Sequence, residues 1–235
     1  NKQTTSLGRF GWKAGTPTIE QQNNAALSGD IGIGSQMFPA PAGDCTQHQS
    51  ECLSQAHGDQ NYRDSAATSI IHDGLEASHQ MSDLLSYYVR NISLPARKNT
   101  QDKDVLAGKE IFYQAQCVSC HTPKFITPEN HDEPALSNQL IWPYTDLLLH
   151  DMGAGLADNR DEFKANGYEW RTPALWGIGQ SKHLNSKTFF LHDGRAHSLM
   201  EAVLWHGGEA ELSKQKVLDM TKLQRRLLIT FLESL

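Results

Sequence analysis

Residues 102–121 read DKDVLAGKEIFYQAQCVSCH. Val105, Gly108, Ile111 and Phe112 recur at helical spacing, so residues 102–116 are expected to form an amphipathic helix with one apolar face. Cys117 and Cys120 follow at once, and His121 comes directly after them. CxxCH is the pattern by which a haem is attached covalently. Each thiol adds to a vinyl group as a thioether, and the histidine then lies under the iron as an axial ligand. A dithiol redox pair would instead follow a strand and open a helix in a βαβ unit, and no βαβ pattern exists here. A zinc site would need a second ligand pair at metal-binding spacing. The other two cysteines, Cys45 and Cys52, are separated by six residues and lie in another region.

Working outward, the last helix opens on a capping box, Thr221 to Gln224, and carries the stripe Leu223, Leu227, Leu228, Phe231 and Leu232. A helix before CxxCH and an apolar terminal helix fit the cytochrome c arrangement, in which the two cross and close one side of a haem site. A shorter helix starts at Ser198 with Glu201 three residues on. FFLH at 189–192 is the best candidate for a short strand. Upstream, one helix begins near Thr16–Thr18. A Pro-, Gly- and Gln-rich loop covers 36–65, and a Cys45–Cys52 disulfide would staple it. A helix is expected over 73–92, with Asp73 and Glu76 as an acidic cap, Leu75, His79, Ser82, Leu85 and Val89 on one face, and Pro95 beyond its end. The expected fold is mainly α. A cytochrome c-like haem domain with long irregular loops spans 100–235, and a loop-rich lead-in with one long helix spans 1–99.

The bulk numbers exclude several classes. With 38% hydrophobic and 20% charged residues, the chain has globular composition. A net charge of −6 argues against nucleic acid and against an anionic membrane face. No apolar run approaches the roughly 18 residues of a membrane span. No secretory signal is visible at the start. Covalent haem and a disulfide both point outside the cytoplasm, so a periplasmic or otherwise exported location is expected.

The second axial position decides the chemistry, since a six-coordinate iron transfers electrons and an open one binds peroxide or oxygen. The candidates are Met152, Met200, His150, His183, His192, His197 and His206, and periodicity does not choose among them. Trp142, Trp176 and Trp205 could line such a site or simply pack.

Longer strings carry a family resemblance. They include GRFGWKA (8–14), GDIGI (29–33), LPAR (94–97), PYTDLLLHDMGAGLADNR (143–160), EWRTPALWGIG (169–179), FFLHDGRA (189–196) and EAVLWHGGEA (201–210). With CVSCH, these strings resemble the C-terminal half of the bacterial di-haem oxidoreductases, often labelled thiol oxidoreductases. A more distant likeness reaches the di-haem cytochrome c peroxidases. There a TP turn and an HDG turn precede a short helix, and a methionine near that helix's end ligates the electron-transfer haem. The matching position here is His206. The resemblance therefore implies His121 and His206 as the two iron ligands, and a low reduction potential, because Met ligation raises it. It also implies Arg171 and Arg195, beside the two turns, as propionate partners, with pairing to a nearby carboxylate as the alternative for each. A calcium ion near Thr172 is implied as well.

Family members usually carry a second CxxCH upstream, and this chain has one. It is expected to be either a half of a larger protein or a mono-haem relative. The expected function is electron transfer within a di-haem oxidoreductase, to a redox partner protein or a second haem domain. The alternative is a peroxidase-type enzyme that this half supplies with electrons.

Overall fold

The structure is a computed structural model and describes residues 5–40, 42–58, 74–130, 132–184 and 187–235. It is mainly α, as expected, with a few strands of two or three residues. It divides into two compact units, Asn1–Gly11 with Thr16–Ser93, and Trp12–Gly15 with Leu94–Leu235.

In the first unit, α1 (Ile19–Ile31) is capped by Thr18, whose hydroxyl accepts from Gln21 N at 3.1 Å. It ends at Gly32, where φ of 68° is left-handed and favours glycine. A single turn, α2 (Ser50–Leu53), lies in the long loop. The Cys45–Cys52 disulfide expected there is present, with Cα atoms 6.2 Å apart. Residues 59–65 of the expected loop, and Asp73, lie outside the described residues. The helix expected from residue 73 starts later, as α3 (His79–Arg90), because Ser78 caps it by accepting from Met81 N. Glu76 serves elsewhere, accepting from the Gly34 and Gly58 N–H groups at 2.8 and 2.6 Å. The inner face of α3 is polar as much as apolar. Ser82 donates to Asn24 on α1, and Asn23 donates to Ser86. Leu84, Tyr87 and Tyr88 are exposed.

The second unit is built on α4 (Lys103–Gln114) and, near the chain's end, α8 (Lys222–Leu232). Between them run β1 (Phe125–Ile126), β2 (Leu140–Ile141), β3 (Leu149–Asp151), β4 (Glu169–Arg171), α5 (Ser181–Leu184), α6 (Leu199–Trp205) and α7 (Glu211–Leu218). The strands form two antiparallel ribbons, β1–β2 and β3–β4. FFLH is not a strand. Only Phe190 pairs, with Ala196, because Leu191 and Gly194 both take left-handed φ and turn the chain back at once.

Asp102 caps α4, and a complete Thr221–Gln224 box caps α8. The two helices cross at Gly108. A Cβ there would stand 2.8 Å from both the Leu227 carbonyl carbon and Phe231 Cβ. Val105, Ile111, Phe112, Leu228, Phe231 and Leu232 are buried around the crossing. Phe112, Phe231 and Tyr144 form an aromatic triangle with centroids 5.3 to 5.9 Å apart. Leu223, expected on the inner stripe, is exposed.

Candidate haem site

Gln116, with φ of 65°, ends the reach of α4 and turns the chain into a tight 3-10 turn at Cys117–Ser119. His121 N closes it by donating to Cys117 O at 2.9 Å. Both thiols are reduced and half-buried. Burial pushes each thiol up to about 11, aided at Cys120 by Asp146 and Glu209. A disulfide oxidoreductase needs the opposite, a thiolate stabilised near neutrality.

His121 Nδ1 lies 2.9 Å from Tyr144 O. A carbonyl only accepts, so Nδ1 carries the proton and Nε2 keeps its lone pair. Burial lowers the His121 pKa to about 4, and the neighbouring His206 and His150 act in the same direction. The ring is thus a neutral imidazole over the physiological range. His206, at the C-cap of α6, repeats the pattern. Its Nδ1 donates to Ala202 O at 2.8 Å, and burial lowers its pKa as well. A histidine that ligates a metal usually gives its second N–H to such an acceptor, which fixes tautomer and orientation.

A third histidine sits beside them. His150 Nε2 is 2.9 Å from Asp146 and its Nδ1 is 2.8 Å from Glu209. Desolvation opposes its charge, but the two carboxylates outweigh it and raise its pKa. Glu209 also accepts from Asp151 N at 2.9 Å, and Gly207 lies close along the Met152 carbonyl. The loop carrying His206 is therefore seated on β3. Cys120, Asp146 and His150 come close enough to share a cation, yet both His150 nitrogens are engaged by carboxylates.

Other residues singled out in the sequence have different surroundings. His192 stacks on Trp170 with centroids 3.5 Å apart. His197 meets Phe189 edge-on, and His183 is exposed. Met200 packs against the core. Arg195 pairs with Asp193, donates to Gly155 O and lies over Trp205. Arg171 donates to Thr172 O at 3.4 Å, and burial lowers its pKa. The Thr172 carbonyl also accepts from Thr145 at 2.6 Å, so two donors already use that oxygen. Ser198 caps α6, but Glu201 reaches the His197 N–H and leaves the box half-formed.

Periodicity could not find Lys13. It is buried, bonded to Asp158, Arg160 O and Asn166 O, and lies over Trp170. Asp146, Glu209 and the Tyr144 carbonyl were also missed. No spacing rule links them to CxxCH, because the chain's fold brings them there.

A thiol pair on a tight turn, with two neutral imidazoles each tethered to a carbonyl, offers donor types of the kind a haem takes. The chain belongs to the family described as "Di-haem oxidoreductase, putative peroxidase", whose model matches residues 1–235, the whole chain. No curated protein matches the chain. Haem is thus the family's cofactor, and the residues here fit it in donor type and protonation. No helix among the described residues is long and apolar enough to cross a membrane.

Proposed function

We propose that the second unit is an electron-transfer domain holding one haem c. Cys117 and Cys120 would form the thioethers, and His121 and His206 would provide the axial nitrogens. The observation that carries this is the matched pair of imidazoles, each with Nδ1–H given to a backbone carbonyl and Nε2 left as a donor. Bound haem supplies a one-electron centre. The protein's part is to hold both rings neutral by burial, to aim them through Tyr144 O and Ala202 O, and to fasten the His206 loop to β3 through Glu209. Two imidazoles favour a lower potential than a His–Met pair. The domain would serve a periplasmic di-haem oxidoreductase, passing electrons to a partner protein or a second haem domain.

Mass spectrometry of the purified chain should show one covalent haem, and its ferric spectrum should lack the Met–iron charge-transfer band at long wavelength. A chain without haem, or one with that band, refutes the assignment. The family description favours a second reading, in which the assembled di-haem protein turns over hydrogen peroxide. Peroxide consumption with a reduced donor tests it.

A further inference from the structure

The β1–β2 ribbon pairs Phe125 with Ile141 and Ile126 with Leu140. Side chains alternate along a strand, so Ile126 and Leu140 share one face. One step along the ribbon, Lys124 and Trp142 fall on that same face, and the Lys124 ammonium stands 5.6 Å from the Trp142 ring centroid. Lys109, from α4, reaches the same ring at 5.5 Å. This face is not core. Ile126 is 70%, Leu140 55% and Trp142 37% exposed. The face is an apolar strip with cations at one end, on a chain whose net charge is −6. The acidic residues of the ribbon's connecting loop, Glu129, Asp132 and Glu133, follow its opposite end.

The strip is also wired to the haem site. Trp142 precedes Pro143 and Tyr144, and the Tyr144 carbonyl accepts the His121 Nδ1–H at 2.9 Å. Two residues of backbone and one hydrogen bond therefore connect an exposed indole to the proposed iron ligand.

We infer that this ribbon face is the docking surface for an acidic electron-carrier protein, with Trp142 as the point of electron entry. Ile126 and Leu140 supply apolar contact. Lys109 and Lys124 meet carboxylates of the partner and set its orientation. A reduced partner would give up one electron and be oxidised by one, and a haem held by Cys117, Cys120 and His121 would supply the one-electron acceptor. The inference rests on the haem assignment above, which mass and spectrum check independently of any partner.

The test uses the holoprotein and an acidic plant-type [2Fe–2S] ferredoxin as probe, oxidised for calorimetric titration and reduced for stopped-flow. Affinity should fall about tenfold between low and physiological ionic strength, since opposite charges are screened. Lys109→Glu with Lys124→Glu should abolish binding and slow haem reduction by ferredoxin at least tenfold, while reduction by dithionite is unchanged. Ile126→Ser with Leu140→Ser should weaken binding without altering the sign of the salt dependence. Both pairs lie on the surface, and circular dichroism and the haem spectrum verify folding. Affinity that rises with salt would show that the net charge governs instead, and would overturn the proposal. So would indifference to the lysine reversals, or a dimer of this chain that the Ile126 and Leu140 changes dissolve, which would make the face a self-interface.

Discussion

Adding one methyl group at Gly108 should destabilise the second unit, although the same change in an exposed helix would stabilise it. The new Cβ would stand 2.8 Å from the Leu227 carbonyl carbon and from Phe231 Cβ. Carbon atoms pack at about 3.5 Å, and the Leu227 carbonyl oxygen lies nearer still to the new Cβ, so α4 and α8 would have to part by about 1 Å or more at the crossing. Neither neighbour can rotate away, since one is backbone and the other is the root of a buried ring. The movement would draw Phe231 and Leu228 off Phe112. Overpacking of this kind costs about 1–3 kcal/mol, and the better helix propensity of alanine returns at most about 1 kcal/mol. A net loss near 2 kcal/mol corresponds to a fall in Tm of roughly 4–8 °C for a unit of this size. Thermal unfolding of Gly108→Ala, followed by far-UV circular dichroism and by the haem Soret band, measures it. Gln114→Ala, on the exposed face of the same helix, should stay within about 0.5 kcal/mol of wild type. A Gly108→Ala protein with a raised Tm would refute the close crossing.

Three further outcomes follow from the site and the loop. His206→Ala should open the iron to carbon monoxide in the ferrous state, and stopped-flow traces identical to wild type would sink His206 as the sixth ligand. The Asp146–His150–Glu209 clamp holds the His150 pKa above its ordinary value, so its stabilisation is complete below about pH 6.5 and is lost as pH rises through the raised value. His150→Gln should remove that loss from the stability–pH profile, and profiles of equal slope would count against the clamp. Reducing the Cys45–Cys52 disulfide, with its sequence separation of 7, should cost the first unit about 2 kcal/mol in denaturant titrations. An unchanged midpoint would mean that the loop is held by other contacts.

The local features of the second unit were legible because periodicity and capping are local. The buried face of α4 and the Thr221–Gln224 box stand as the spacing implied. The start of α3 was misread because two acidic residues resemble a cap, whereas Glu76 is used by distant backbone N–H groups and Ser78 takes the role. FFLH has strand composition, but positive φ at Leu191 and Gly194 overrides it. The tethers of His121 and His206 could not be read. One of them, the Tyr144 carbonyl, joins residues 23 apart, and nothing in a carbonyl's sequence context announces its use. His206 itself entered through family likeness alone.

Tyr144 does two jobs with two ends. Its ring is fully buried against Phe112 and Phe231, and its carbonyl holds the His121 proton. The basicity of His121 is thereby coupled mechanically to core volume, because a shift of the ring moves the oxygen that polarises the imidazole. With the proposed haem in place, a conservative change such as Phe231→Leu would then register as a shift in reduction potential. In such a domain, stability and redox tuning are one design variable, and neither can drift alone.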